Sequence, residues 1–147
     1  MSTLISTRGR YALRALTDIA KNQADGLVPL ADVSRRQGIS EKYLESIATA
    51  LSKAGFISGQ RGKGGGYCLA KDPEDCALGE VLSAVEGSIV PVACLECGPN
   101  GCDNRELCPT LPMWEQLDNI IHDYLDGKTL ADLMKIDTGV TLPCTKK

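Results

Sequence analysis

The chain has 147 residues, of which 43% are apolar and 24% charged, with a formal net charge of -3. This length and balance suit one compact soluble domain with a small appendage. The longest apolar runs are far shorter than a membrane span, and Arg8, Arg10 and Arg14 interrupt the apolar core that a signal peptide would need. We therefore expect a cytoplasmic protein with no membrane partner.

Charge is divided unevenly along the chain. Residues 1–72 hold eleven Lys/Arg and six Asp/Glu, a balance of +5, whereas residues 73–147 hold five Lys/Arg and thirteen Asp/Glu, a balance of −8. This asymmetry is typical of a nucleic-acid-binding front end joined to an acidic partner or sensor half. Two differently solvated faces of one domain would give the same pattern.

Apolar periodicity and boundary residues predict the elements in chain order. Ser40 is a good N-cap, Gly38 and Gly55 are helix stops, and the glycine-rich stretch before Tyr67 is typical of a hairpin tip. The predicted elements are helices at about 7–22, from Pro29 to Gly38, from Ser40 to Gly55, at 78–86, at 111–126 and at 129–134, with a hairpin between 56 and 69 and a poorly ordered tail at 137–147.

The predicted fold is mainly α with a small β-hairpin. A short helix, a Gly38-Ile39-Ser40 turn and a second helix form a helix-turn-helix, and the hairpin makes it winged. A long C-terminal helix is expected to mediate dimerisation. The predicted division is a DNA-binding domain at 1–87, a cysteine-rich sensor loop at 88–110, a dimerisation helix at 111–135 and a flexible tail at 136–147.

The second helix of this motif and the wing carry residue types that contact DNA. Glu45 can accept from cytosine N4 but is an unpaired charge opposite other bases, so it favours sequence choice over affinity. A P-loop is excluded because Gly64 follows Lys63 where Ser or Thr is needed. The alternative for the exposed residues of the second helix is that they are ordinary solvent-exposed positions. The alternative for the hairpin is that its glycines serve only the turn. The predicted DNA contacts are Arg8, Ser40, Lys42, Tyr43, Glu45, Ser46, Thr49, Arg61, Lys63, Gly64 and Gly65.

Four of the seven cysteines fall within fifteen residues, at Cys94, Cys97, Cys102 and Cys108. Such clustering without periodic apolar residues favours ligation over burial. A zinc ribbon needs two close pairs and the chain offers one, so the spacing favours an iron–sulfur cluster, with zinc, a thiol switch or an inert loop as alternatives. Of the remaining cysteines, Cys68 and Cys76 are expected to lie in the core and Cys144 in the tail.

Three segments resemble a known family of regulators. These are Ser6 to Leu16, Tyr43-Leu44-Glu45, and Arg61-Gly62 followed by Gly64-Gly65-Gly66-Tyr67. They are similar to the dimeric winged-helix regulators that include IscR, NsrR, RirA and CymR, and the resemblance covers about residues 4–134. It implies a homodimeric cytosolic bacterial transcription factor of the kind that often controls iron–sulfur cluster assembly or the responses to iron, cysteine or nitric oxide. Lys63 departs from the family, in which proline is usual.

The resemblance also implies a ligand set. The spacing of Cys94, Cys102 and Cys108 is similar to the three-cysteine pattern of the cluster-binding branch, which implies a cluster of the 2Fe-2S type. A fourth ligand used in that branch is a histidine where this chain has Leu111, or an acidic residue where it has Arg10. Cys97 is therefore the expected fourth ligand, with Glu96, Asp103 or a group from a second subunit as alternatives. His122 is expected to be a solvated flank residue.

The predicted function is a DNA-binding transcriptional regulator whose operator affinity is controlled by an iron–sulfur cluster. The alternative is a regulator of the same fold that senses through thiol oxidation, zinc or a partner protein. An electron carrier would not need the helix-turn-helix. An enzyme is not expected, because no nucleophile, base and orienting group can be assembled with His122 alone. A dimer would place two recognition helices about 34 Å or a multiple apart on a near-palindromic operator. The predicted dimer interface, or seam, consists of Trp114, Leu117, Ile121 and Leu125. The alternative is that these residues pack inside the subunit.

Overall fold

A computed structural model of the chain describes residues 4–96 and 103–136. In these ranges the chain is mainly helical with one antiparallel hairpin, which confirms the predicted fold class. The predicted tail from 137 to 147 lies outside the described residues. The elements are α1 (Thr7–Asn22), α2 (Leu30–Gln37), α3 (Glu41–Lys53), β1 (Ile57–Gln60), β2 (Gly66–Leu69), α4 (Leu78–Glu86), α5 (Leu111–Asp126) and α6 (Leu130–Met134), with short 3₁₀ turns at Gln23–Asp25, Pro73–Asp75, Ala93–Leu95 and Arg105–Leu107.

The turn between α2 and α3 is built from short polar side chains and one glycine. Gly38 ends α2 in the left-handed conformation, with φ at +67°, and donates its N–H to Ser34 O at 2.8 Å. Ser34 Oγ in turn donates to the carbonyl of Ile39 at 2.5 Å. Ser40 then caps α3 by accepting from the Tyr43 N–H at 3.1 Å. These bonds define the angle between the two helices of the helix-turn-helix.

α1 is the central element of the core because its buried face contributes to two adjoining clusters. Ala15 and Ile19 pack with residues of α2, α3 and the neighbouring loops. Ala12, Leu16 and Ala20 pack with the rest of α3, the hairpin, α4 and α6. The other buried members of the two clusters are Val28, Val33, Ile39 and Leu44 in the first, and Ile47, Ala48, Leu51, Phe56, Ile57, Cys76, Val81, Val85 and Leu130 in the second.

The hairpin is held against the helices at its base. β1 and β2 pair in the register Ile57 opposite Leu69 and Gln60 opposite Gly66. Tyr67 exchanges two backbone hydrogen bonds with Val28, of 2.8 and 2.9 Å, just before α2. A Cβ at Gly66 would lie 2.6 Å from the Val28 carbonyl oxygen, so only glycine permits this close approach. The base of the wing is therefore anchored to the helix-turn-helix by backbone hydrogen bonds.

The end of α5 is tied to the start of α4. Leu78 donates its N–H to Lys128 O at 2.9 Å, and Leu130 donates to Cys76 O at 2.9 Å, next to a bridge between Ala77 and Thr129. These bonds place α6 against α1, where Leu130 is fully buried. The C-terminal elements thus share the core of the N-terminal ones. In the part of the chain described, no helix combines the length and apolarity that crossing a bilayer requires.

Candidate DNA-binding surface and cysteine segment

α3 has one buried and one exposed face. Its apolar residues, from Leu44 to Leu51, point into the core, so the opposite face is open to solvent. Tyr43 lies at the edge of this face, half-buried, with its ring packed edge-to-face on Tyr11 at a centroid distance of 5.8 Å. The predicted DNA contacts on and before α3 that the structure places on the exposed face are Ser40, Lys42, Glu45, Ser46 and Thr49.

Arg8 lies at one edge of α3, and its guanidinium is engaged within the chain. Nη1 donates to Ser46 Oγ at 2.8 Å and Nη2 to Ser46 O at 3.3 Å. Nε donates to the carbonyl of Val85, in the last turn of α4, at 3.2 Å. Two of the predicted DNA contacts are thus bonded to each other, and through Arg8 to α4.

The wing lies at the other edge of α3. Arg61, Lys63 and Gly64 are exposed at its tip and Gly65 is half-buried. Between the wing and the end of α3 runs an open groove of about 370 Å³. Five of its seven lining residues were not among the predicted DNA contacts, and three of these, Ser52, Lys53 and Gln60, carry long or polar side chains. Ser52 and Lys53 follow Thr49 at helical spacing, which is the signal that could have identified them. The full lining is Thr49, Ser52, Lys53, Gly59, Gln60, Arg61 and Tyr67.

A buried carboxylate joins α1 to α2. Asp18 is buried and accepts from Arg36 Nε and Nη2, the shortest contact being 2.6 Å, and from Gln37 Nε2 at 2.8 Å. The hydrogen bond with Asp18 raises the pKa of Arg36. Arg14 donates to Gln37 O at 2.5 Å and so extends the network along α1. This network sets the position of the first helix of the helix-turn-helix.

Two of the four candidate cysteine ligands are described, at the two ends of their segment. Cys94 is half-buried in a 3₁₀ turn, and Cys108 is half-buried just before α5. Cys97 and Cys102 lie outside the described residues. An ion pair between Arg105 and Glu115 holds the last 3₁₀ turn of the segment against α5.

Cys108 lies where a thiolate is stabilised. Its Sγ is 3.3 Å from Thr110 Oγ1, and hydrogen bonds from the Thr110 hydroxyl, the Thr110 backbone and the Leu111 backbone lower the pKa of this thiol. Since the thiolate is the form that binds iron, this environment fits a ligand. Within residues 4–96 and 103–136, no group of three or more Cys, His, Asp or Glu is assembled around a common point.

The histidine and the remaining cysteines differ in part from expectation. His122 Nε2 is 2.9 Å from Ile89 O and 3.4 Å from Asp118 Oδ1, so it ties α5 to the segment after α4 and is not merely a solvated flank. Cys76 is fully buried, as predicted. Cys68 is half-buried, with its Sγ 3.6 Å from Ser58 Oγ, so the prediction of a core position was wrong. Cys144 lies outside the described residues.

α5 carries two adjacent apolar rows. Trp114, Ile121 and Leu125, three of the four predicted seam residues, are half-buried. The fourth, Leu117, belongs to a second row that is exposed to solvent. Its members, with their exposed fractions, are Met113 at 52%, Leu117 at 38%, Ile120 at 65% and Tyr124 at 64%.

A helix-turn-helix with a polar outer face, followed by an anchored hairpin with a cationic tip, defines the winged helix-turn-helix class of DNA-binding proteins. The sequence matches the family model Rrf2, described as iron-dependent transcriptional regulator, over residues 5–136. The chain belongs to the Rrf2 family.

Individual relatives agree with this assignment. The HTH-type transcriptional regulator IscR of Escherichia coli (strain K12 / DH10B) is 43% identical over 130 residues, which are 88% of this chain and 79% of that protein. IscR of Aliivibrio salmonicida (strain LFI1238) is 43% identical over 130 residues, covering 88% of this chain and 76% of that protein.

Solved structures show the same fold. T. potens IscR superposes with a TM-score of 0.71 at 32% identity, covering 97% of this chain and 93% of that one. The global cysteine regulator CymR (YrzC) of B. subtilis has a TM-score of 0.73 at 33% identity, covering 93% and 100%. The chain is thus a DNA-binding transcriptional regulator of this family, and the prediction that it is not an enzyme is confirmed by the names of its relatives.

Proposed function

We propose that the chain binds a near-palindromic DNA operator as a homodimer, and that an iron–sulfur cluster on its cysteine segment controls the operator affinity. The observation that supports DNA binding is the exposed polar face of α3, with Arg8 at one edge and the wing cations at the other. Although the whole chain has a net charge of -3, the cations Arg8, Lys42, Lys53, Arg61 and Lys63 lie on or beside this face.

The outer face of α3 suits the major groove. Glu45 accepts hydrogen bonds only, so it favours the cytosine N4 amine and disfavours acceptor edges. Lys42 and Ser40, at the helix start, are within the first turn, which in such motifs contacts base edges and phosphates. Arg61, Lys63, Gly64 and Gly65 at the wing tip suit the adjacent minor groove, because glycines permit close approach and cations favour its negative potential.

The groove between α3 and the wing suits the sugar-phosphate strand. One backbone strand separates the major groove from the neighbouring minor groove, so it passes between a helix in the first and a wing in the second. Lys53 and Arg61 line the groove with positive charge, and Thr49, Ser52 and Gln60 add polar side chains. We infer that these residues hold one or two phosphates of that strand.

Lys53→Ala and Arg61→Ala each remove one phosphate-neutralising cation per protomer. We expect each to reduce the dependence of log K on log salt by about 0.9 per protomer, because fewer counterions are released on binding. The measurement is fluorescence anisotropy over a salt series, with a duplex that the wild-type protein selects from a randomised library.

Lys135→Ala is the matched control. Lys135 is exposed at the end of α6, 3.9 Å from Glu74, and belongs to the acidic half. We expect its variant to keep the wild-type salt dependence. A wild-type salt dependence in Lys53→Ala would instead place the phosphate strand outside the groove.

We propose that the cysteine segment binds a 2Fe-2S cluster through Cys94, Cys102, Cys108 and Cys97. Thiolates are the protein ligands of such clusters, and the lowered pKa of Cys108 favours its thiolate form. When bound there, a cluster would supply a redox-active iron centre to these cysteines. Because Cys94 follows α4 and Cys108 immediately precedes α5, binding at this segment connects the DNA-binding body to the exposed apolar row.

Cys108→Ser should abolish cluster binding. Purified without oxygen, the wild-type protein is expected to absorb visible light and to contain iron and sulfide, and the variant to be colourless. Cys68→Ser, in the hairpin, is the control and should keep the cluster. Loaded and chelator-treated wild-type protein should differ in affinity for the selected duplex by about 5- to 150-fold. A colourless wild-type protein, with stoichiometric zinc or with no metal, would favour the regulator without a cluster.

A second copy of the chain is the proposed occupant of the exposed row on α5. Met113, Leu117, Ile120 and Tyr124 repeat at spacings of four, three and four residues, the pattern of a coiled-coil seam. The predicted seam residues Trp114, Ile121 and Leu125 adjoin this row and support it from the side facing the rest of the protomer. A symmetric pair of α5 helices would then set the separation of the two α3 helices on DNA.

A further inference from the structure

We infer that Arg8 is a positioning residue that holds the Ser46 hydroxyl as a hydrogen-bond donor toward the bases. This inference rests on the proposed function, and it departs from the expectation that Arg8 contacts DNA directly. The structural basis is the pair of bonds from Nη1 to Ser46 Oγ and from Nη2 to Ser46 O. Both bonds come from one planar group, so they define the orientation of Arg8 relative to α3.

The chemistry of the two groups determines which way the serine proton points. A serine hydroxyl has one proton and two lone pairs, whereas a guanidinium has donors only and stays charged. When Nη1 donates to Oγ, one lone pair is occupied, and the positive charge turns the hydroxyl proton away from Arg8. Ser46 is exposed on the outer face of α3, so its proton is left for DNA.

Thr49 on the same face shows the opposite arrangement. Its hydroxyl donates to Glu45 O of its own helix at 2.8 Å, so toward DNA it offers only lone pairs. Glu45 is also an acceptor. The middle of α3 therefore presents one hydroxyl donor, Ser46, beside two acceptors, Glu45 and Thr49.

This arrangement makes serine selective. A free serine hydroxyl either donates or accepts and so tolerates most base edges. With its proton directed outward and one of its two lone pairs occupied by Arg8, Ser46 favours acceptors in the major groove, namely purine N7, guanine O6 or thymine O4, over the amines of cytosine and adenine. We therefore place an acceptor edge opposite Ser46 in each half of the operator.

The position of Arg8 is set by contacts between the start of α1 and the end of α4. Nε donates to Val85 O in α4 at 3.2 Å. Glu86 Oε1 accepts from Ser6 N at 2.9 Å, Ser6 Oγ at 2.6 Å and Gly9 N at 2.9 Å, and so caps the first turn of α1 from α4. The start of α1 is thus bonded to the end of α4, and Arg8 extends from this junction to α3.

A double-mutant cycle tests the inference. The variants are Arg8→Met, Ser46→Ala and the two combined, and the probes are a duplex selected by the wild-type protein from a randomised library and its single-base-pair variants. We expect Ser46→Ala to lose about fivefold discrimination at one base pair of each half-site, the value of one hydrogen bond. Arg8→Met should lose discrimination at the same base pair, and the combined variant should lose no more than either alone.

Arg10→Met is the matched control, because Arg10 is an exposed cation on the same helix whose guanidinium bonds Thr7. Its effect should be independent of the base pair and additive with Ser46→Ala. If Arg8→Met also weakens every duplex equally and additively, Arg8 is a phosphate contact and the inference is wrong, while the proposed function stands. If Ser46→Ala keeps full discrimination at every position, the inference is wrong whether or not Arg8→Met folds. A wild-type protein that selects no duplex contradicts the proposed function itself.

Discussion

Ile120→Glu is expected to leave each protomer folded while converting the proposed dimer into monomers. Ile120 is 65% exposed in the protomer, so a glutamate there costs little in the free chain. At the centre of the proposed two-fold seam, however, the change would bury two unpaired carboxylates, which we expect to weaken dimerisation by at least about a hundredfold. A monomer contacts one half-site, so affinity for the palindromic duplex should fall by about a hundredfold as well. Analytical ultracentrifugation and anisotropy measure the two effects.

Asn119→Glu is the control for this prediction. It adds the same charge at the adjacent exposed position of α5, outside the row of Met113, Leu117, Ile120 and Tyr124. We expect it to remain a dimer with the wild-type affinity. An Ile120→Glu protein that sediments as a dimer would exclude the row as the interface.

Asp18→Ala is expected to produce a large loss of stability. Asp18 is 3% exposed at its side chain and accepts from Arg36 and Gln37, so its removal leaves a cation and an amide without their buried partner. The Arg36 side chain is 33% exposed, which places the cost at the lower end for buried ion pairs, about 3 kcal/mol in the free energy of unfolding. This corresponds to a melting temperature about 10 °C lower. Urea unfolding followed by circular dichroism gives the measurement.

A surface ion pair on α2 serves as the comparison. Asp32 is 3.1 Å from Arg35, and their side chains are 37% and 71% exposed. Since solvent screens such a pair, Asp32→Ala should cost less than about 1 kcal/mol. Equal losses in the two variants would mean that the Asp18 network adds nothing beyond a surface contact.

The helices were predictable because the residues that begin and end them act locally. Ser40 caps α3 through its own Tyr43 N–H, and Gly38 ends α2 in the left-handed conformation that glycine favours. The predicted bounds of α4 and α5 also agree with the structure, and α5 ends at Gly127 as predicted, although neither helix has a side-chain cap at its start. The chemistry of the exposed face of α3 was also readable from spacing, because Leu44, Ile47, Ala48 and Leu51 define the buried side.

The contacts that join distant segments were not predictable. Arg8 was assigned to DNA because a cation in a basic region has no visible partner in sequence, whereas the fold brings it to Ser46 and Val85. His122 was expected to be a solvated flank residue because its partner, Ile89 O, is a backbone atom of another segment. Such pairings depend on how α1, α4 and α5 cross, which local periodicity does not encode.

The sequence also did not predict which face of α5 is exposed. Its sequence contains two neighbouring apolar rows, and periodicity alone does not distinguish the row that packs on its own protomer from the row that faces outward. The predicted seam combined Leu117 of the outer row with Trp114 of the inner one. Only the position of α4 beside α5 separates the two.

The burial of Leu130 has a consequence for the order of folding during synthesis. Leu130 is fully buried in the same cluster as Ala12 and Leu16, more than a hundred residues earlier. While the ribosome has made only α1 to α4, the side of α1 that receives α6 stays open to water. The winged helix-turn-helix therefore completes its core only after the cysteine segment and α5 have been translated. The helix-turn-helix of this chain is therefore expected to become stable only late in synthesis, once α6 has covered α1.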